Sequence, residues 1–161
     1  MNIRRYMTGE EAQIWRVYFR ATHETNAADY HTELLRRWAP PDMDMTDWAS
    51  RLLEKNPFVA LTDDQIVGFA ELDATGFVDY FYVSPDHQRQ GVGAALMTTI
   101  VSEACTLGVP AITADVSITA KNFFLAHDFE IVESRMNVIL GHPAPNFSMI
   151  RRLSEPVISH E

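Results

Sequence analysis

Between Val83 and Leu96 the chain reads Ser84-Pro85-Asp86-His87-Gln88-Arg89-Gln90-Gly91-Val92-Gly93-Ala94-Ala95, a turn that runs into a stretch with helical apolar spacing. A Gly-x-Gly pair at a helix start leaves a row of backbone N–H groups without intrahelical acceptors, aimed outward at the positive end of the helix dipole. That is chemistry for holding an anion. Gly91 and Gly93 lack a Cβ, so the backbone there can approach a pyrophosphate closely and adopt positive φ, and Arg89 adds a cation. The same spacing also serves an ordinary glycine turn ahead of a packed helix. It lacks the Gly-Lys-Ser/Thr ending of a P-loop, and an antiparallel meander precedes it, unlike the strand–turn–helix of a dinucleotide fingerprint.

Other reactive side chains group less well. His23, His31, His87 and His127 show no H-x-x-x-H or comparable spacing, so no metal site is expected. Cys105, the single cysteine, sits mid-helix beside Ala104 and Leu107. It is expected to be buried or neutral, and it has no partner for an internal disulfide.

The elements that must position the loop follow from periodicity. Residues 3–6 read as a short strand, after which Thr8 and Glu11 have capping-box spacing and Ile14, Trp15 and Tyr18 share a helix face. A second helix, capped by Asn26 or Asp29, carries Leu34, Leu35 and Trp38 and ends at Pro40-Pro41. A third starts near Thr46, carries Trp48, Leu52 and Leu53, and closes at Asn56-Pro57. Then Phe58 to Leu61, Ile66 to Leu72 and Phe77 to Val83 are β-branched or aromatic runs joined by short polar turns, an antiparallel meander. Val92, Leu96, Ile100 and Ala104 recur every four residues in one helix that stops at Gly108 and Pro110. Ala111 to Val116 reads as a strand and Thr119 to His127 as a short helix. Ile131 to Leu140 and Phe147 to Leu153 read as a terminal strand pair around His142-Pro143-Ala144-Pro145. The class is α/β with a mixed sheet.

At 161 residues, 47% hydrophobic and 22% charged, the chain has the size of one domain, taken as residues 1–153 with a frayed tail at 154–161. No apolar stretch approaches the ~18 residues a membrane span needs. Residues 1–15 hold no apolar leader segment, so a cytoplasmic location is expected. The formal charge of -9 counts against a nucleic-acid partner, which needs clustered Lys and Arg, and leaves small cationic substrates open.

The stretch from Tyr82 to Leu96 resembles the signature of the GNAT superfamily of N-acetyltransferases, R/Q-x-x-G-x-G/A, with Gln88, Gly91 and Gly93 at the matching positions. Downstream, Ser117-Ile118-Thr119-Ala120-Lys121-Asn122-Phe123-Phe124-Leu125-Ala126-His127-Asp128-Phe129 resembles the family's second cofactor segment, N-x-x-A-x-x-F-Y-x-x-x-G-F. The likeness extends to a bacterial branch with S-I-T-A-x-x-F-F and a following N-F-x-M, here Asn146-Phe147-Ser148-Met149. It implies a mostly antiparallel twisted sheet of about six to seven strands, flanked by helices and splayed in the middle for acyl-CoA.

The resemblance further implies acetyl-CoA as co-substrate and transfer to a primary amine of a small molecule or peptide, by a monomer or homodimer, without membrane or metal. The backbone of Phe81, Tyr82 and Val83 would bond pantetheine and turn one N–H toward the thioester oxygen. The loop Gln88, Arg89, Gln90, Gly91, Val92, Gly93 and Ala94, with Ser117 and Phe124, would complete the cofactor site. Asp79 matches a common position for the general base. Glu71 is the alternative, since Phe69, Glu71 and Asp73 share a face by the period of two. Phe124 replaces the usual acid Tyr, and Ser117 the usual Asn. A free thiol has a pKa of about 8.5, so the CoA thiolate can leave without an acid. Tyr82 or Tyr80 would substitute; both lie on the face opposite Asp79, and the choice stays open. Asp128 stands at a helix C-cap where the family has Gly, a position Asp tolerates. Tyr30, Trp38 and Asn146 are candidates for the acceptor wall, with Asp29 or Glu33 anchoring a cation; core packing is the competing reading of these aromatics. A non-catalytic acyl-CoA-binding module is the alternative function, suggested by Phe124 and Ser117. A toxin-like enzyme acting on charged tRNA is disfavoured by the charge.

Overall fold

The structure, a computed structural model, describes residues 1–154; of the expected tail, 155–161 lie outside the described residues. Seven strands form one sheet in the order β1-β2-β3-β4-β5-β9-β6. They are β1 (Asn2–Arg5), β2 (Phe58–Thr62), β3 (Gln65–Leu72), β4 (Phe77–Val83), β5 (Ala111–Ser117), β6 (Glu130–Arg135) and β9 (Asn146–Arg152). Every pairing is antiparallel except β4 with β5 at the centre. The α/β class and the strand number expected from sequence are what the chain adopts.

Alternation along the strands sends neighbouring residues to opposite faces. On one face α4 (Val92–Leu107) and α5 (Ile118–Ala126) cover Ala60, Val67, Ala70, Val78, Ile112 and Met149. Val92, Leu96, Ile100 and Ala104, the stripe read from the sequence, are all buried there. On the other face α1 (Glu11–Arg20) and α3 (Met45–Lys55) bring Ile14, Val17, Tyr18, Trp48 and Leu52 against Val59, Ile66 and Phe69. A third, smaller cluster joins α2 (Thr32–Trp38) to the segment just before β9 through Tyr30, Leu34, Leu35 and Ala144. Among the described residues no helix is long and apolar enough to cross a membrane.

Helix ends follow side-chain chemistry, not always where the sequence pointed. The Thr8–Glu11 capping box does not form. Instead Glu10 accepts the Met7 N–H at 2.7 Å and Glu11 the Gly9 N–H at 2.9 Å, so the loop is knotted before α1 begins. The cap of α2 is His31, whose Nδ1 accepts the Glu33 N–H at 3.1 Å, and not Asn26 or Asp29. Those two belong to the link between α1 and α2, which runs through a π-helical turn at Ala21–Thr25 and a 3-10 turn at Asn26–Ala28. By contrast α3 is capped by Asp44 and ends at Asn56 in the left-handed region, as the Asn56-Pro57 signal suggested. Asp128 likewise takes φ 67° at the end of α5, with the Phe129 N–H returning to the Phe124 carbonyl.

The expected strand from Ile131 to Leu140 is broken. After β6 the chain forms a small hairpin of β7 (Val138–Ile139) and β8 (His142–Pro143). Leu140 and Gly141, at φ 54° and 76°, are its two turn residues. Positive φ at both positions is the two-residue hairpin geometry that sequences usually advertise with Asn-Gly; a leucine there hides it.

Candidate active site

The parallel pairing of β4 and β5 lasts for two residue pairs, Phe77 with Thr113 and Val78 with Ala114. Beyond them β4 stays paired to β3 as far as Val83, and β5 to β9 as far as Ser117. The two strands therefore part, and their facing edges open into a cleft of about 780 Å³. Phe81, Tyr82 and Val83 line one wall, Asp115, Val116 and Ser117 the other, and Phe123 and Phe124 lie on α5 beside them.

The glycine loop closes one end. Gln88, Arg89, Gly91, Val92, Gly93 and Ala94 line the cleft, whereas Gln90 is exposed outside it. The Gln88 side chain donates to the Val83 carbonyl at 3.1 Å, fastening the loop to the end of β4. Arg89 and Gly91, with φ of 59° and 83°, turn the chain into α4. The first α4 bond to a loop carbonyl is from the Ala95 N–H to Gly91. The N–H groups of Val92, Gly93 and Ala94 precede it and have no acceptor in the helix, the arrangement that receives an anion. Gly93 has a further reason to be glycine: a Cβ there would stand 2.9 Å from Phe123. No role for Phe123 follows from the motif, which marks Phe124; the Phe123-Phe124 pair is the signal the sequence offers for it.

The opposite side is a strap. Residues 20–30 run between the two walls, with Ala21, Thr25 and Asn26 lining the cleft. Arg20 grips Asp86, just after β4, at 2.6 and 3.1 Å. At the other end Asp29 accepts from Thr119 at 2.7 Å, and the Tyr30 hydroxyl accepts the Ile118 N–H at 2.9 Å. The lining residues of this strap carried no motif and were not legible.

Asp79 does not sit where simple alternation put it. Ala70 pairs with Phe81 but Leu72 with Val78, so Asp79 and Tyr80 together oppose Glu71. This bulge turns Asp79 onto the face of Glu71, Tyr80 and Tyr82. Arg51 Nη2 then donates to Glu71 at 2.7 Å and Asp79 at 3.1 Å, while its guanidinium lies 3.8 Å from the centre of the Tyr80 ring. Lys55 approaches Asp79 at 3.6 Å. Glu71 is 1% exposed. Burial pushes its carboxyl up to about 7, against the pull of Arg51 and with a further push from Asp79. Tyr82 lines the cleft beside Tyr18, Tyr80 and Phe69, and burial together with Tyr80 raises its phenol well above the usual value.

Ser117 caps α5 through its hydroxyl, which accepts the Ala120 N–H at 3.2 Å. Phe124 is 4% exposed and packs on Phe81 and Phe129. Of the acceptor-wall candidates, Tyr30 and Trp38 pack edge to face within the third core cluster and do not line the cleft. Asn146 starts β9 and accepts from Asn137 at 3.2 Å, also off the cleft. Cys105 is exposed on α4, and not buried as one of its two expected readings had it.

One grouping was missed. His31, Glu33 and His142 come together, with ligand atoms within 4.8 Å of one another. His142 lies far along the chain in the unforeseen hairpin, so spacing gave no hint. With Nδ1 of His31 serving as helix cap and its ring stacked 3.7 Å from that of His142, the cluster clasps the hairpin to α2.

A family model described as an acetyltransferase (GNAT) domain matches residues 26–138. The uncharacterised N-acetyltransferase YafP of Escherichia coli (strain K12) is 30% identical over 149 residues, covering 92% of this chain and 94% of that protein. A GCN5-related N-acetyltransferase from Rhodopseudomonas palustris superposes with a TM-score of 0.87 at 26% identity, over 94% of this chain and 95% of that one. The fold is also shared with YncA of Salmonella typhimurium, a putative acetyltransferase solved with acetyl-CoA, at a TM-score of 0.72, 20% identity and coverage of 99% and 98%.

Proposed function

The chain belongs to the GNAT family of N-acetyltransferases, and from that premise we propose that residues 1–153 act as one unit transferring an acetyl group from acetyl-CoA to a primary amine of a small molecule or peptide. The observation that carries the reading is the splay of β4 from β5 beside the acceptor-free N–H groups of Val92, Gly93 and Ala94. The N–H row and Arg89 suit a pyrophosphate, and the open strand edges suit an extended amide-bearing arm, which can bond to the backbone of Phe81, Tyr82 and Val83 as an added strand would. YncA, which shares the fold, is seen with acetyl-CoA.

Acetyl-CoA supplies an acetyl group already activated as a thioester. The chain's part is to orient it, exclude water from it and remove a proton from the amine. The N–C bond forms as the C–S bond breaks, in a ternary complex without an acyl-enzyme. Of the two carboxylates lining the cleft, Asp115 is held by Arg135 at 3.0 Å, and we assign Asp79 to accept the proton, directly or through water. Phe124 offers no proton to the departing sulfur, and with a thiol pKa of about 8.5 none is required near neutrality.

A second reading, a binding module without turnover, draws on Phe124, packed into the core where the family's acid would stand. Calorimetric titration with acetyl-CoA, beside Gly91→Glu and Gly93→Glu, tests the shared premise: the wild type binds and the variants do not. CoA release across an amine panel then separates the readings. No acetyl-CoA binding by the wild type would sink both.

A further inference from the structure

Besides the cleft, a second cavity of about 260 Å³ lies between the end of α3 and the β3–β4 hairpin, with Glu54, Lys55, Glu71, Asp73 and Asp79 on its wall beside apolar residues of the hairpin. Asp79 lines both spaces. The Glu71 side chain is nearly fully buried, yet only one of its oxygens is engaged: Oε2 takes Arg51, and Oε1 has no partner. Arg51 Nε is also buried without an acceptor. An unmet carboxylate oxygen beside a cavity of this volume, with charged side chains on its wall, calls for water, which occupies about 30 Å³ per molecule in the liquid.

We propose that Glu71 and Asp79 form one proton-sharing pair clamped by Arg51, which takes up the proton released by the attacking amine and passes it to solvent through the second cavity. This rests on the acetyltransferase reading. As the amine nitrogen bonds to the acetyl carbon, the C–S electron pair leaves with sulfur and the N–H proton moves to an Asp79 oxygen. From there it moves through water to Glu71 Oε1 and then to bulk water, which returns the pair to its starting charge. Arg51 touches no reacting atom; it is a positioning residue, holding both carboxylates with one nitrogen. The bulge at Asp79 makes the pairing possible, because regular alternation would separate the carboxylates by the thickness of the sheet.

The groups facing Glu71 are Arg51, Glu54 and Lys55 from α3, Asp79, Tyr80 and Tyr82 from β4, and Asp73 from the hairpin. Asp73 is already occupied by the N–H groups of Thr75 and Phe77. Asp79 is the carboxylate among them whose charge raises Glu71, adding to the larger push from burial and opposed by Arg51.

Side-chain carboxyl titration by 13C NMR on the full chain tests the pair, with Glu71→Gln assigning the resonance. Asp79→Asn should lower the Glu71 midpoint by about one pH unit, as expected of coupled sites, and Arg51→Lys should move it as well. A Glu71 midpoint that ignores Asp79→Asn overturns the proposal. So does a Glu71→Gln enzyme whose kcat/KM profile against pH matches the wild type. Acetyl-CoA affinity should stay unchanged in Glu71→Gln. Failure of the wild type to bind acetyl-CoA would instead strike the acetyltransferase reading and leave the NMR coupling as measured.

Discussion

The ring of Phe123 fills the space that a side chain on Gly93 would need, with a Cβ there only 2.9 Å from the ring edge. Gly91 differs: nothing lies within 4 Å of its Cβ position, and its φ of 83° is the constraint. Gly93→Ala should displace Phe123 and weaken acetyl-CoA binding with little loss of stability. Gly91→Ala should cost about 1–2 kcal/mol of stability through left-handed strain. Calorimetric titration and urea unfolding of both variants separate the effects; equal losses in both assays would refute the distinction.

Glu71 makes stability depend on pH. Below 4.5, its ordinary value, the group is neutral folded or unfolded. Between 4.5 and about 7 the unfolded chain gives up its proton while the folded chain keeps it, so stability falls as pH rises. The full penalty, about 3 kcal/mol, is present above that window. Urea midpoints from pH 4 to 8 should decline for the wild type relative to Glu71→Gln, and parallel curves would count against it.

Tyr82, with its phenol raised by burial, is a poor proton donor to the leaving sulfur. Tyr82→Phe should lower kcat by less than the roughly hundredfold or more that a general acid contributes. A hundredfold loss at unchanged acetyl-CoA affinity would restore Tyr82 as the acid.

Tyr30 is 7% exposed, and its hydroxyl donates to the Pro145 carbonyl at 2.7 Å while accepting from Ile118. Tyr30→Phe strands two half-buried backbone groups and should cost about 1–3 kcal/mol. The KM for the amine should hardly change. The opposite pattern, a raised amine KM with stability intact, would place Tyr30 on the acceptor wall after all.

Periodicity and turn chemistry were enough to read the meander, the α4 stripe and the glycine loop, because each is written locally. Asn56 was legible for the same reason, whereas the cap at Asp128 came from the resemblance to the family's second segment. What escaped depends on contacts between distant segments. The Asp79 bulge appears only once β3 and β4 are in register. His142 meets His31 through a hairpin whose Leu-Gly turn looks like strand. Tyr30 and Trp38, as aromatics in the first helical region, fit a ligand wall and a small core equally well in the sequence, and only their packing together shows the core contact.

The parted strands have a consequence for solubility. Open backbone edges in the middle of a sheet are templates on which a foreign strand can dock, the hazard usually met at a sheet's rim. Here the strap from Arg20 to Tyr30 stands across the opening, pinned at Asp86 and Thr119. The strap turns an open edge into a slot, which disfavours docking by a strand that carries neighbours of its own and so guards the middle of the sheet as charged or covered rims guard its ends.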